Sequence, residues 1–181
     1  MSKKIVVITG SPRKKGNSFA MTEAFINAAQ AKGHTVTRFD ASSMNVGFCR
    51  ACNTCYKTGE ACSFGGDFNK MAPAILEADA VVFSMPVYWY SIPAQIKGVI
   101  DKLYSFFVGG KETGGKDCAI ITCCEEADPT VMDGVRIPME RTAALLKWNM
   151  VGEVCIPSVL NEGDIANTDG CAQAAALADK F

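Results

Sequence analysis

The chain has 181 residues, 49% hydrophobic and 20% charged, with a formal net charge of −1. That is enough for one globular domain with a substantial core, and so even a charge balance excludes a broad electrostatic footprint for nucleic acid or anionic membrane. No apolar stretch approaches the roughly 18 residues that span a bilayer, and the Ile5–Ile8 run behind Lys3 and Lys4 is too short for a signal-peptide core, so the expected compartment is the cytoplasm.

Lys4–Thr9 is an unbroken β-branched run, as expected of a strand buried on both faces of a parallel sheet. After a turn-rich stretch, Phe19–Lys32 sets Met21, Ala24, Phe25 and Ala28 at helical spacing, with Asn17 or Ser18 as N-cap and Gly33 as the stop. Thr35–Asp40 is the second predicted strand. Residues 42–66 are rich in Gly, Cys and small polar side chains and show little periodicity. Asp67 is expected to cap a helix running to about Glu77, and Ala80–Ser84 to form a third strand. Pro93–Phe107 carries Ile96, Val99, Ile100 and Leu103 on one helical face behind a proline start. Asp117–Thr122 predicts a fourth strand, Pro138–Trp148 a helix, Gly152–Ile156 a fifth strand and Gly170–Lys180 a final helix.

Strands alternating with helices imply a parallel sheet covered on both faces by right-handed crossovers. Five strands at this length fit an α/β three-layer sandwich of flavodoxin-like order, 2-1-3-4-5. No repeat or linker interrupts the pattern. The expected organisation is one domain over residues 1–181, with a cysteine-rich insertion at about 43–66.

The segment Thr9-Gly10-Ser11-Pro12-Arg13-Lys14-Lys15-Gly16-Asn17-Ser18 joins the first strand to the first helix, at the sheet edge where such folds bind ligands. A helix N-terminus there offers free N–H groups and the positive end of a dipole. Ser11, Asn17 and Ser18 can add hydroxyl and amide hydrogen bonds, Arg13 a charged fork for phosphate oxygens, and Lys14 and Gly16 further contacts. The loop lacks the Gly-Lys-Ser/Thr of a Walker loop and the Gly-x-Gly-x-x-Gly of dinucleotide folds, and its spacing suits a terminal monophosphate. The plainer alternative is a Ser/Asn-capped helix with incidental basic neighbours.

This loop resembles the GSPR-x-x-GNS/T loop of the NADPH-dependent FMN reductases and related iron–sulfur flavoproteins, and so does the stretch Ser84-Met85-Pro86-Val87-Tyr88-Trp89-Tyr90-Ser91-Ile92-Pro93-Ala94-Gln95-Ile96-Lys97. Lys102 stands where that family often has arginine. The resemblance implies that the phosphate belongs to FMN and that reduced NAD(P)H is the cosubstrate. A flavin ring is a flat apolar plate with a polar rim, and needs main-chain groups at the rim and aromatic or apolar cover. Pro86, Val87, Tyr88 and Trp89 suit that task, although the aromatics also read as core or subunit-interface residues. Thr122 and Cys123, at the end of the fourth strand, are the third expected contact. Relatives often have glycine near Cys124, which this chain lacks. No side chain is needed for acid–base chemistry, because the reaction takes place on the flavin.

Cys49, Cys52, Cys55 and Cys62 follow a C-x2-C-x2-C-x6-C spacing, which lets a short loop present thiolates to one cluster. It resembles the compact motif of the iron–sulfur flavoproteins, whose 4Fe–4S cluster passes electrons to FMN. Two other readings stay open: a metal-free loop, and a tetrahedral, redox-inert zinc site. The expected function is that of an FMN-dependent NAD(P)H oxidoreductase acting on a flavin, quinone or other small electron acceptor. Its alternatives are an electron carrier fed by a ferredoxin-like donor and a zinc-stabilised binding domain. A homodimer or homotetramer is expected from the family and from the aromatic loop.

Overall fold

The computed structural model describes every residue from Met1 to Phe181. Five strands, β1 Lys4–Thr9, β2 Thr35–Asp40, β3 Ala80–Pro86, β4 Asp117–Cys123 and β5 Asn149–Ile156, form one sheet in the order β2-β1-β3-β4-β5. Every neighbouring pair is parallel. The central strands β1, β3 and β4 are buried along nearly their whole length, as their continuous apolar runs require. At the edge, β2 is threonine-rich and only half-buried. The flavodoxin-like α/β sandwich expected from the alternation of elements is the fold observed.

Six α-helices cover the sheet: α1 Asn17–Ala31, α2 Phe68–Glu77, α3 Ala94–Lys102, α4 Tyr104–Val108, α5 Asp133–Leu146 and α6 Gly170–Leu177. Because side chains alternate across a strand, Ile8, Phe83, Met85 and Ile120 enter the core beneath α2 to α5. Ile5, Val7, Val82 and Ile121 enter the other core, beneath α1 and α6. No helix is long and apolar enough to cross a membrane.

Several element boundaries differ from the sequence-based expectation, and four of the differences have a local reason. The first helix begins at Asn17 with Gly16 as N-cap, so Asn17 and Ser18 belong to its buried first turn and cap nothing. The Pro93–Phe107 segment is two helices. At Leu103 the N–H is shared between the Val99 and Ile100 carbonyls, and Phe106 bonds back to Leu103, tightening the chain into a 3₁₀ turn. The fifth helix starts at Asp133, before Pro138, because Asp128 caps a preceding 3₁₀ turn by accepting the Thr130 N–H at 2.9 Å. Strand β5 starts at Asn149, ahead of a bulge where Cys118 pairs with Met150 and Ala119 with Gly152, and that bulge hides the period of its first residues.

Candidate functional site

Parallel strands put all their carboxyl ends on one edge, and the chain segments leaving β1, β3, β4 and β5 there enclose a cavity of about 500 Å³. That is within the usual size range of cofactor sites.

The first wall is the loop after β1. Its shape is fixed by main chain: the Gly10 N–H donates to the Ser84 carbonyl at 2.8 Å and the Gly16 N–H to the Arg13 carbonyl at 3.0 Å. A Cβ on Gly10 would stand 2.5 Å from Ile96 Cγ1, so only glycine lets α3 approach so closely. Ser11 Oγ accepts the Arg13 N–H at 3.2 Å and Ser42 Oγ donates to the Ser11 carbonyl at 3.0 Å, tying the loop to the end of β2. The loop delivers the chain to α1, which has no side-chain cap and no acidic residue in its first turn. Its leading N–H groups are therefore left for an external anion.

The second wall is the segment after β3. The Val87 N–H donates to the Cys123 carbonyl at 3.0 Å, and Tyr88 and Ser91 exchange hydrogen bonds at 3.0 and 3.1 Å across a two-residue turn. The turn residues Trp89 and Tyr90 have φ of 47° and 60°. Both are left-handed, as in a type I′ turn, although neither is the glycine or asparagine that normally fills one. Such backbone costs of order 1–3 kcal/mol per residue and is characteristic of functional loops. Gly134 of α5 holds the turn from behind: a Cβ there would lie 1.7 Å from the Tyr90 carbonyl oxygen.

The ends of β4 and β5 supply the rest. The Cys124 N–H donates to the Ile156 carbonyl and the Val159 N–H to the Cys124 carbonyl, both at 3.0 Å, which brings residues 159–162 to the rim. Burial pushes the Cys123 thiol up to about 12, and burial likewise raises Cys124, so neither offers a thiolate at neutral pH. The Glu126 carboxylate beside the Tyr90 hydroxyl raises the pKa of that phenol.

Ten of the twelve residues expected to contact FMN line this cavity: Ser11, Arg13, Gly16, Asn17 and Ser18 on the first wall, and Pro86, Val87, Tyr88, Trp89 and Cys123 on the others. Two do not. Lys14 is exposed and lies outside the lining. Thr122 is fully buried, with an unpartnered Oγ1, because the alternation of β4 turns it away when Cys123 faces the cavity. Asn17 also differs in role: its amide donates to the Val159 and Asn161 carbonyls and accepts from the Ile165 N–H, leaving only its main chain for a ligand. Sequence reasoning missed Glu126, Leu160 and Glu162. The signal was present in the rule that every parallel strand, β5 included, ends on the ligand edge.

The residues fit a flavin monophosphate. An uncapped helix start and Arg13, the only cation lining the cavity, provide for the phosphate, while Pro86 to Tyr90 provide apolar cover. Glu125, Glu126 and Glu162 line the same cavity, so any anion bound there depends on the main-chain donors and on Arg13.

A second, smaller cavity of about 20 Å³ lies between the segment after β2 and the helices α3 and α4. Cys49, Cys52, Cys55 and Cys62 all line it. They are free thiols, and no three of them are posed as ligands to one metal ion. The loop is turned inward by left-handed Ala51, Asn53 and Tyr56, with φ of 50°, 55° and 60°. It is fixed by Asn69, which accepts the Cys62 N–H at 2.7 Å and donates back to the Cys62 carbonyl at 3.0 Å. Glycines let the loop lie close: a Cβ on Gly98 would stand 2.8 Å from the Gly47 carbonyl oxygen, and one on Gly109 would stand 2.2 Å from the Tyr56 ring. A hydrogen bond with the Thr54 hydroxyl lowers the Cys52 thiol, whereas burial and then the charge of the neighbouring cysteines raise Cys55.

A family model described as NADPH-dependent FMN reductase matches residues 3–131. An iron-sulfur flavoprotein of Archaeoglobus fulgidus is 35% identical over 103 residues, 57% of this chain and 46% of that protein. Another, from Methanocaldococcus jannaschii, is 30% identical over 135 residues, 66% of this chain and 68% of its own length. The chain thus spans about half of the first relative and about two thirds of the second. Among solved structures, an NAD(P)H:quinone oxidoreductase from Methanothermobacter marburgensis superposes with a TM-score of 0.79 at 16% identity, covering 98% of this chain and 95% of that one. An azoreductase from Bacillus anthracis gives 0.78 at 21% identity, with 100% of both chains covered. At such identities these two likenesses speak to the fold.

Proposed function

The chain belongs to the NADPH-dependent FMN reductase family, and from that premise we propose that it is an FMN-dependent NAD(P)H oxidoreductase that reduces a small acceptor such as a quinone or free flavin. The observation that carries the proposal is the cavity itself, in which an uncapped helix start with Arg13 and an aromatic turn at Tyr88–Tyr90 flank one space of about 500 Å³. When bound, FMN supplies the hydride- and electron-accepting chemistry. The chain's part is to bind, orient and shield. The first-turn N–H groups of α1, the Ser11 and Ser18 hydroxyls and Arg13 take the phosphate; Pro86, Val87, Tyr88, Trp89 and Cys123 take the ring.

We further propose that Cys49, Cys52, Cys55 and Cys62 hold a 4Fe–4S cluster that exchanges electrons with the flavin. Two observations support this: four thiols without a competing carboxylate line one cavity, and the Archaeoglobus and Methanocaldococcus relatives are iron-sulfur flavoproteins. Residues 1–181 act as one FMN-binding unit. A homodimer or homotetramer would cover Trp89, 92% exposed, and Tyr90, 58% exposed.

The test is anaerobic purification with stoichiometric FMN, followed by steady-state oxidation of NADH and NADPH with quinone or free flavin as acceptor. Turnover with either nucleotide supports the reductase. The cysteine pocket favours one second reading, a carrier between proteins. No turnover with either nucleotide, together with rapid reduction by a ferredoxin, would select it. A purified protein that binds no FMN contradicts both.

A further inference from the structure

The helix side of the cysteine pocket holds two groups that the flavin site does not use. Lys102, the last residue of α3, is 6% exposed. Its ammonium donates to the Val46 carbonyl and takes part in no ion pair. A buried ammonium without a counter-charge is costly and rare. Ser105 of α4 is 2% exposed, and its Oγ is buried with no hydrogen-bond partner, another arrangement proteins seldom tolerate. Both line the cavity that the four cysteines face from the loop side. Arg50 lines it too, and no Asp or Glu does. The cavity therefore pairs a cationic, hydrogen-bond-donating wall with four thiols, the complement of a negatively charged occupant.

We propose that Lys102 is the counter-ion, and Ser105 a hydrogen-bond donor, for an anionic tetrathiolate iron–sulfur cluster held by Cys49, Cys52, Cys55 and Cys62, and that together they raise its reduction potential. This rests on the reading that those thiolates hold a 4Fe–4S cluster. With four thiolate ligands such a centre is a net anion, and a one-electron reduction adds one more negative charge while the ligands and protein are unchanged. A fixed ammonium stabilises the reduced form more than the oxidised form, more strongly at a buried site than in water. A hydroxyl proton directed at a cluster or ligand sulfur acts in the same sense, since net charge and hydrogen bonds to sulfur set cluster potentials. Lys102 as a mere peg for the loop would need only a donor to the Val46 carbonyl, which a neutral amide also provides.

The experiment is an EPR-monitored redox titration of the full-length protein, reconstituted anaerobically with iron and sulfide, as wild type, Lys102→Arg, Lys102→Gln and Ser105→Ala. Lys102→Arg is expected to keep the wild-type midpoint. In Lys102→Gln the midpoint should move to more negative potential by at least a tenfold change in the redox equilibrium constant, which is 59 mV for a one-electron couple. In Ser105→Ala it should move the same way by less, with FMN content unchanged in all four proteins. A wild-type midpoint in Lys102→Gln with full iron removes Lys102 from this role, and a wild-type midpoint in Ser105→Ala removes Ser105. If Lys102→Gln cannot retain a cluster, Ser105→Ala alone decides, and an unchanged midpoint there overturns the proposal. A wild-type protein that takes up neither iron nor sulfide overturns the cluster reading, and this inference with it.

Discussion

The two cavities are built by different means. The larger one is assembled from the ends of regular elements: β1 into α1, β3 into the Tyr88–Ser91 turn, and β4 and β5 into their following loops. Its geometry follows from sheet register, and the groups proposed to take the phosphate include main-chain N–H groups, which every substitution except proline leaves in place. The smaller one is made by an irregular segment pressed onto α3 and α4 through glycine contacts at Gly98 and Gly109. Its chemistry lies wholly in side chains, four thiols facing Lys102 and Ser105. One helix joins the two. Near its start Gln95 donates to the Gly10 carbonyl of the phosphate loop, and at its end Lys102 faces the cysteines. Its nine residues make a strut of about 13 Å at ~1.5 Å per residue. A site defined by register should depend mainly on backbone position and on its one cation, whereas a site defined by side chains should depend on the loop that holds those side chains in place.

The largest expected effect comes from backbone displacement at the register-defined site. Gly134→Ala places a methyl 1.7 Å from the Tyr90 carbonyl oxygen, so the aromatic turn must move. Overpacking of this kind costs about 1–3 kcal/mol or more. Thermal unfolding should show that loss together with weaker FMN binding, and a variant with both unchanged would break the contrast.

Next in size is Arg13→Ala, which removes the only cation lining the large cavity. A charge-assisted hydrogen bond is worth about 1.5–3 kcal/mol, so the FMN dissociation constant should rise roughly 10- to 150-fold. Fluorescence titration measures this directly.

Gly98→Ala probes the other region. Its methyl would lie 2.8 Å from the Gly47 carbonyl oxygen, lifting the cysteine loop at a cost of about 1–3 kcal/mol while leaving the phosphate loop in place. Faster reaction of the cysteine-loop thiols with a disulfide reagent, at unchanged FMN affinity, is the expected result. Weakened FMN binding would show that the two cavities are coupled through α3.

The smallest effect belongs to Lys14→Ala. Lys14 is exposed and lies outside the cavity, so its FMN affinity should stay within about 0.5 kcal/mol of wild type. A loss comparable to that of Arg13→Ala would return Lys14 to the site.

The same division explains what could be read from sequence. The fold and the walls formed by Ser11–Ser18 and Pro86–Trp89 were legible because strand periodicity fixes which loops share an edge. Thr122 was misplaced, since a one-residue error in strand phase exchanges faces, and Cys123 next to it does face the cavity. Asn17 was assigned by residue type, and its amide bonds to Val159 and Asn161 are long-range contacts with no local signature. Leu160 and Glu162 went unseen because they lie beyond the end of β5, in a loop that carries no motif or periodicity of its own. In the cysteine pocket the ligand spacing was legible. Lys102 and Ser105 were not, because only the packing of the loop on α3 and α4 brings them to it.

The central claim is that the first turn of α1, with Arg13, receives the phosphate of FMN. Titrating the apoprotein in parallel with FMN and with riboflavin, which lacks that phosphate, tests it most directly. FMN is expected to bind at least about tenfold more tightly, the equivalent of ~1.4 kcal/mol or more from the phosphate contacts. Equal affinities, or no binding of either flavin, would contradict it.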